Sequence, residues 1–150
     1  MLRLKYKNDV AMGEVLSRPL LGLISQAKWP VESVVPVPAS VARKRQRGYN
    51  QAALLALPVA LGLDRPYQPR ALVKVRETRS QVGLKISERF ENVAEAFEAR
   101  RELVRGKNIL VVDDVTTSGA TIEACAAALL QADASQVYGL TLARSAFSPG

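Results

Sequence analysis

Residues 109–121 have the sequence Ile-Leu-Val-Val-Asp-Asp-Val-Thr-Thr-Ser-Gly-Ala-Thr. The first four are aliphatic and three of them are β-branched, which is typical of a strand covered on both faces of a parallel sheet. Asp113 and Asp114 follow directly. Because burying an unpaired carboxylate is costly, we expect both acids at the open carboxyl end of this strand, where ligands bind in open α/β sheets.

The second half of this segment has the composition of a phosphate-binding loop. Thr116, Thr117, Ser118 and Thr121 supply four hydroxyl groups, and Gly119 lets the backbone turn tightly without a Cβ. An amphipathic helix is expected next, because apolar residues recur at helical spacing at positions 122, 125, 126, 129 and 130. Backbone amides and the dipole at the start of that helix would hold a phosphate dianion.

Hydroxyl residues before a helix are often only caps, and Thr116 alone would be interpreted in that way. The whole string, with two acids ahead of it, favours ligand binding. The two carboxylates would repel a bound phosphate unless another part of the ligand lay between the carboxylates and the phosphate. A ribose does so, since its 2′ and 3′ hydroxyls can donate to Asp113 and Asp114 while its 5′-phosphate lies on the loop. The segment therefore indicates a ribose 5-phosphate site.

The composition excludes several other chemistries. The 150 residues include no histidine and a single cysteine, Cys125. Imidazole metal ligands, Ser-His-Asp hydrolysis, an internal disulfide framework and a cysteine-rich zinc site are therefore excluded within this chain. The net charge of +7, from 21 basic and 14 acidic residues, favours polyanionic partners. A pyrophosphate-bearing substrate and nucleic acid both fit that description.

Length and hydropathy bound the organisation of the chain. Its length fits one domain spanning residues 1–150. No apolar run approaches the roughly 20 residues of a membrane span, and the N-terminus lacks the apolar core of a signal peptide. We therefore expect no membrane span and a cytoplasmic location.

A basic segment follows an earlier strand. Residues 33–38 are apolar and end in two prolines, which predicts a short strand. Ala39 and Ser40 come next, and then the cations Arg43, Lys44, Arg45 and Arg47. As a charge run alone, this cluster fits a solvated surface patch that attracts nucleic acid as well as it fits a ligand site. Its place after a strand of the same sheet favours a pyrophosphate site beside Asp113 and Asp114.

The rest of the chain alternates strands and helices, which predicts a layered, mainly parallel α/β sheet flanked by helices. Further strands are expected at residues 71–76, 96–98 and 137–143, and helices at residues 8–26, 50–63 and 87–92. Pro19 predicts a kink or two short helices, and Pro58 predicts that its helix bends or stops near Leu57. Residues 2–7 fit an edge strand or a frayed helix start. Residues 77–83 are polar and are expected to form a flexible loop.

The segment at residues 109–121 resembles the phosphoribosyl pyrophosphate (PRPP) signature of type I phosphoribosyltransferases. Further motifs extend the match over most of residues 34–144. Together they resemble the ComF family of competence-associated phosphoribosyltransferase-like proteins: Val-Pro-Val-Pro at 35–38, Arg-Gly-Tyr-Asn-Gln-Ala at 47–52, Thr78 with Gln81, Ser-Glu-Arg at 87–89 with Asn92, Ala96-Phe97, and Leu-Ala-Arg at 142–144. The resemblance implies the type I phosphoribosyltransferase fold.

The resemblance also implies roles for particular residues. The catalytic pair Asp113 and Asp114 would hold the ribose hydroxyls. The 5′-phosphate would lie on Thr116, Thr117, Ser118, Gly119, Ala120 and Thr121. The pyrophosphate would lie on Ala39, Ser40, Arg43, Lys44 and Arg47. The flexible loop would close with Lys74, Arg76, Arg79 and Gln81. Mg²⁺ would be bound mainly through the substrate's own oxygens, with Asp113 and Asp114 reaching it only through the ribose or through water.

Three functions are compatible with the resemblance. The first is a Mg²⁺-dependent transfer of phosphoribose from PRPP to a nitrogenous acceptor, in a protein associated with DNA uptake. The second is a non-catalytic PRPP sensor or single-stranded-DNA-binding component of the competence machinery. The third is a structural partner of other competence proteins. Trp29 and Tyr49 are the aromatic residues near basic ones that could stack on bases, and a homodimer is compatible with each function.

Two features depart from the family pattern. Family members commonly carry a cysteine-rich, zinc-binding module ahead of the transferase-like part, and such a module is absent here, so the chain is either trimmed or a short member. Residue 133 is Asp where the family often has Gly at a helix end. Asp tolerates the left-handed conformation better than β-branched residues do, so we expect local strain and an unchanged fold.

Overall fold

The computed structural model describes residues 2–39, 44–46, 48–76, 83–116 and 119–144, with residues 2–9, 93, 115, 116 and 144 described by their backbone alone. Ten elements follow one another along the chain: α1 (Leu2–Ala27), β1 (Ser33–Pro36), α2 (Gln51–Leu63), β2 (Leu72–Lys74), α3 (Ile86–Val93), β3 (Phe97–Ala99), α4 (Arg101–Val104), β4 (Asn108–Thr116), α5 (Ala120–Gln131) and β5 (Gln136–Arg144). Within this described part, every helix is too short or too polar to cross a bilayer.

Two sheets organise these elements. The larger is parallel, with the order β1-β4-β5 and with Val35 and Gly139 on either side of Val111. Tyr67 forms a parallel bridge to Val34 at the outer edge of β1. The smaller sheet is an antiparallel pair of β2 and β3, with Leu72 opposite Ala99. The predicted mainly parallel sheet flanked by helices is confirmed, and the antiparallel pair is an addition to it.

The centre of the fold is β4. Its four aliphatic residues, 109–112, have 0% exposed surface. Ile109 and Val111 pack in one core cluster with Cys125 and Leu129 of α5, and Leu110 and Val112 pack in another against α1 and α2. Each fully buried aliphatic side chain contributes about 1.5–3 kcal/mol. This explains why the most apolar segment lies between two layers of helices.

Neither proline ends its helix, so one of the two alternatives predicted for each is wrong, while the predicted kink at Pro19 and bend at Pro58 stay predictions. Helix α1 runs unbroken from Leu2 to Ala27 with Pro19 inside it, so two short helices and an edge strand at residues 2–7 are wrong. Helix α2 likewise continues through Pro58 to Leu63 and does not stop near Leu57. An interior proline costs about 3 kcal/mol. Burial of apolar residues C-terminal to each proline offsets that cost, with Leu20, Ile24, Val59 and Ala60 all at most 4% exposed.

Other boundaries differ from the expected ones by a few residues. Strand β2 ends at Lys74, so Arg76 lies outside it, and the short helix α4 precedes β4 without having been predicted. The substitution of Asp at position 133 has the predicted consequence, because this residue takes a left-handed φ of 69° after α5. Its carboxylate also pairs with the Arg101 guanidinium at 2.5 Å. The fold is retained at that turn.

Helices α1 and α2 approach each other closely at a glycine. A Cβ added to Gly13 would lie 2.5 Å from the carbonyl oxygen of Leu54, a backbone atom that cannot rotate away. We expect Gly13→Ala to lower the free energy of unfolding by about 1–3 kcal/mol, the usual cost of overpacking. Gly22→Ala is the matched control, because its added Cβ meets nothing within 4 Å. It should gain roughly 0.5–1 kcal/mol from helix propensity. Urea unfolding measures both, and the same shift in the two variants would contradict this helix contact.

Candidate functional site

The parallel sheet changes its winding direction between β1 and β4. The chain leaves β1 through α2 and returns at Tyr67, on the outer edge of β1, whereas it leaves β4 through α5 and returns as β5 on the opposite side. Helix α2 packs in the layer with α1, and α5 lies in the other layer. Neighbouring strands whose connections diverge in this way leave a crevice outside their carboxyl ends, where ligands of α/β proteins bind.

The crevice opens where β1 stops and β4 continues. The last β1–β4 pair is Pro36 with Val112, after which the Val37 amide donates to the Val112 carbonyl oxygen at 2.9 Å. The loop after β1 is then held to the start of α2, because the Asn50 side-chain amide donates to the Val37 carbonyl oxygen at 2.9 Å. The Asn50 Oδ1 also accepts from the Ala52 amide at 3.1 Å, capping α2. The N-termini of α2 and α5 therefore both face this edge.

From the sequence, Asp113 and Asp114 were expected at the carboxyl end of the strand, but in the structure they lie inside β4. The strand is longer than expected because its pairing with β5 continues as far as Thr116 opposite Arg144. Because side chains alternate along a strand, Asp113 lies on the α5 face and Asp114 on the α1–α2 face. Asp113 is only 9% exposed, and Asp114 is half-buried. The Asp114 amide donates to Asp113 Oδ1 at 2.9 Å.

The turn into α5 is made by Gly119, whose φ of 80° lies in the left-handed region that favours glycine. Ala120 is buried behind it and Thr121 is half-buried in the first turn of α5. Of the predicted 5′-phosphate residues, these three are placed at the crevice. Thr117 and Ser118 lie outside the described residues, and Thr116 is described by its backbone alone.

A groove of about 440 Å³ lies beside the crevice. We call it the basic groove, and it is lined by Pro38, Ala39, Lys44, Arg45, Pro69, Arg70, Leu72, Val73, Lys74 and Arg100. Five of these described residues are cations and none is an acid. The basic groove brings Ala39 and Lys44 of the predicted pyrophosphate segment together with Lys74 of the predicted flexible loop. Ser40, Arg43 and Arg47 lie outside the described residues.

Sequence reasoning missed Arg70 and Arg100 as lining residues of the basic groove. Arg70 precedes β2 and Arg100 follows β3, so only the antiparallel pairing of these strands makes the two residues neighbours. The pairing extends past the strand ends, since the Arg100 amide donates to the Ala71 carbonyl oxygen at 2.9 Å. The sequence feature that could have indicated them is that Arg70 precedes one predicted strand and Arg100 follows the other.

The predicted loop residues separate into two groups. Lys74 lines the basic groove, with its Nζ 5.9 Å from the centre of the Phe97 ring. Arg76 is instead bound to the backbone, donating from Nη2 to the carbonyl oxygens of Asn92 at 2.9 Å and Ala94 at 2.6 Å. Arg76 therefore ties the end of β2 to the end of α3. Arg79 and Gln81 lie outside the described residues.

Cys125 connects the groove to the acids. Burial raises the pKa of its thiol far above the ordinary value of 9.0; the negative charge of Asp113 raises the pKa further, and the positive charge of Lys74 lowers it. Asp113 and Lys74 therefore both lie close enough to Cys125 to act on it through Coulomb forces. The carboxylate in β4 and the cation at the end of β2 belong to one electrostatic neighbourhood.

The raised thiol pKa predicts a pH-dependent stability. In the folded state Cys125 keeps its proton at pH values where the thiol of the unfolded chain has lost it. The contribution of the buried thiol to the free energy of unfolding is therefore fully present below the unfolded pKa of 9.0. Above that pH the free energy of unfolding should fall by about 1.4 kcal/mol per pH unit. Cys125→Ala should lack this fall. Urea unfolding of both proteins between about pH 8 and pH 10 measures the two slopes, and parallel slopes would contradict the prediction.

The described residues contain no group of three or more His, Cys, Asp or Glu side chains that could hold a metal ion. Mg²⁺ is commonly bound through one or two carboxylates, several waters and substrate phosphates, without a protein cage. Asp113 and Asp114 beside a basic groove fit that kind of site. Any Mg²⁺ there would depend on oxygens that a ligand brings.

Known proteins place the chain in a family. A family model described as the phosphoribosyl transferase domain matches residues 50–146. Competence protein F of Haemophilus influenzae is 31% identical over 94% of this chain and 66% of its own length. The DNA utilization protein YhgH of Escherichia coli is 32% identical over 95% of this chain and 65% of its own length. The chain thus spans about two thirds of the length of these relatives.

A third relative, competence protein ComFC of Bacillus subtilis, is 36% identical over 75% of this chain and 44% of its own length. Among solved structures, a B. subtilis glutamine PRPP amidotransferase, complexed with ADP and GMP, has a TM-score of 0.57 at 21% identity, covering 89% of this chain and 26% of that one. TT1426 from Thermus thermophilus has a TM-score of 0.55 at 14% identity, with coverage of 92% and 86%. These two structures show the shared fold. The chain belongs to the phosphoribosyl transferase domain family, and its relatives named for competence and DNA utilization confirm the predicted ComF resemblance.

Proposed function

We propose that this chain binds PRPP together with Mg²⁺ in the crevice between β1 and β4 and transfers its phosphoribosyl group to a nitrogenous acceptor. We place that activity in the cytoplasm, in a ComF-like protein that serves DNA uptake. The observation that carries the proposal is the convergence at one sheet edge of the acids of β4, the Gly119 turn into α5 and the basic groove. Each part matches one charged or polar group of PRPP.

The 5′-phosphate would lie at the start of α5, where the helix dipole favours an anion. The ribose hydroxyls would donate to the carboxylates of β4. Asp114 is the more accessible of the two, while Asp113 is mostly buried near Lys74 and Cys125. We therefore assign the larger share of ligand binding to Asp114 and the smaller share to Asp113.

The pyrophosphate would lie in the basic groove, between Lys44 and Lys74. In the reaction the bond between ribose C1 and the pyrophosphate oxygen breaks, and the oxygen keeps the electron pair. The acceptor nitrogen forms the new bond to C1 and loses its proton. Positive charge develops on the ribose and negative charge on the leaving group, so carboxylates at the diol and lysines at the pyrophosphate stabilise the transition state. Mg²⁺, when bound, would neutralise part of the pyrophosphate charge.

The basic groove also favours a second candidate, a non-catalytic PRPP sensor or a single-stranded-DNA-binding component of the competence machinery. Nucleic-acid binding commonly adds aromatic side chains on which bases stack. Trp29 does not serve the groove in this way, because its ring stacks on Tyr138 with 4.9 Å between the ring centres and an angle of 22°. The second predicted stacking residue, Tyr49, is half-buried. The Trp29 contact favours the transferase over DNA binding, and the non-catalytic PRPP sensor differs from the transferase only in the absence of turnover.

Pyrophosphate release separates these functions. The chain is incubated with PRPP and Mg²⁺, alone and with a panel of nitrogenous bases and single-stranded DNA, while free pyrophosphate is measured. Acceptor-dependent release supports the transferase. PRPP binding without release under any condition would contradict transfer and support the sensor. DNA binding that weakens steeply with added salt would support the nucleic-acid role, because such binding releases counterions from the phosphates.

A further inference from the structure

The basic groove carries more positive charge than the pyrophosphate of PRPP needs. Five cations line it and no described lining residue is acidic. Even with Lys74 set against the negative charge of Asp113, four cations remain, and a Mg²⁺-bound pyrophosphate brings a smaller negative charge than these four bring positive charge. Cations held together in one groove repel one another unless anions lie among them. The groove therefore has capacity for anionic groups beyond one pyrophosphate.

The cations are spread along the groove. Lys74, at the end of β2, pairs with Phe97, which packs in the same core cluster as Val111 of β4 and Cys125 of α5, and we call this the inner end. Arg70 and Arg100 mark the outer end, where the Arg100 amide is bonded to the Ala71 carbonyl oxygen. From Ala71 to Lys74 the backbone advances by about 10 Å at the usual rise of a strand. A pyrophosphate held at the inner end would leave the outer arginines to another group.

The outer arginines are available to a ligand. Within the described part of the chain, neither Arg70 nor Arg100 forms an ion pair with a carboxylate. Both residues are exposed. Guanidinium groups bind phosphate oxygens through paired hydrogen bonds, and such bonds favour phosphates over diffuse negative charge. A linear chain of phosphates would contact Lys74 at the inner end and the outer arginines at once.

We propose that Arg70 and Arg100 form an anion subsite for the third and later phosphates of an oligophosphate chain, such as the triphosphate group of a nucleotide. The inner end of the groove is shared with the pyrophosphate of PRPP, and in this respect the inference rests on the proposed function. An oligophosphate ligand bound there would exclude PRPP. An oligophosphate is thus a ligand that would compete with PRPP for the crevice.

Calorimetric titration with pyrophosphate and with tripolyphosphate, at one ionic strength, tests the subsite. We expect tripolyphosphate to bind the unaltered chain about tenfold more tightly, equivalent to about 1.4 kcal/mol. In Arg70→Gln/Arg100→Gln this preference should disappear, while pyrophosphate affinity changes by less than about threefold. Arg65→Gln/Arg105→Gln is the matched control, since it removes two exposed charges outside the groove. The control should keep the preference.

Several results would overturn the subsite. One is that the unaltered protein binds tripolyphosphate no more tightly than pyrophosphate. A second is that the control variant loses the preference for tripolyphosphate to the same extent. A third is that a single-stranded oligodeoxynucleotide binds in a way that depends on the two arginines while tripolyphosphate does not bind. A nucleoside triphosphate is titrated in parallel to identify the source of the phosphates. Tighter binding than tripolyphosphate indicates a nucleotide and equal binding indicates the phosphate chain alone, and both support the subsite.

Titration with PRPP in the same proteins keeps the two proposals apart. If PRPP fails to bind while the arginine-dependent preference for tripolyphosphate persists, the proposed function fails and the anion subsite stands. If PRPP binds and displaces pyrophosphate but the preference is absent, the subsite fails and the proposed function stands.

Discussion

Asp113→Asn with Asp114→Asn lowers the affinity for PRPP by roughly 10²–10⁴-fold, because each carboxylate loses a charge-assisted hydrogen bond to a ribose hydroxyl, worth about 1.5–3 kcal/mol. The fold should survive, since both replacements are isosteric and the apolar residues of β4 at positions 109–112 are unchanged. Thermal-shift titration with PRPP in Mg²⁺ measures the affinity, and the melting temperature without ligand reports the fold.

The single variants should differ. Asp114 is half-buried, whereas Asp113 is 9% exposed and accepts the Asp114 amide. We expect Asp114→Asn to lose more PRPP affinity, and Asp113→Asn to change the titration of Cys125 as well. Glu14→Gln with Asp64→Asn is the control, because it makes the same charge change at exposed positions on α1 and at the end of α2. An unaltered PRPP response in the double acid variant would disprove the ribose assignment.

Lys44→Gln with Lys74→Gln should weaken PRPP binding by at least about 30-fold and leave ribose 5-phosphate binding nearly unchanged. Both lysines line the basic groove, where they would contact the pyrophosphate and nothing in ribose 5-phosphate. Two charge-assisted contacts of about 1.5–3 kcal/mol would give a larger loss, but partial exposure weakens them through solvent screening. Titrations of both ligands into the same protein give the ratio directly.

Lys28→Gln with Lys107→Gln is the matched control for this pair. These lysines are exposed and do not line the basic groove, so the variant has the same net charge and should bind both ligands as the unaltered chain does. Equal weakening of PRPP and ribose 5-phosphate by the groove variant would mean that the lysines supply only a general positive field. The control distinguishes that field from contact.

The sequence predicted those parts of the site that depend on local order along the chain. An aliphatic run must be buried, so residues 109–112 could be placed at the centre of the sheet. Groups that directly follow parallel strands share an edge. Ala39, Lys44 and Gly119 were placed near the acids by this argument, and the structure brings them to one edge.

Other features depend on contacts between distant segments and could not be predicted in this way. Arg70 and Arg100 meet because β2 pairs with β3, which nothing in either strand specifies alone. Asp113 and Asp114 fall on opposite faces because β5 extends the pairing of β4 to Thr116. Pro19 and Pro58 stay inside helices because burial against the sheet outweighs the local cost of a proline. Each of these features is set by tertiary contacts, and at the two prolines those contacts override a local preference.

The most direct measurement is a crystal structure of the chain grown with PRPP and Mg²⁺. We predict the 5′-phosphate at the Gly119 turn, the ribose diol at the acids of β4 and the pyrophosphate between Lys44 and Lys74. PRPP bound elsewhere on the chain, or its pyrophosphate at the start of α5 with the diol pointing away from both acids, would contradict the account.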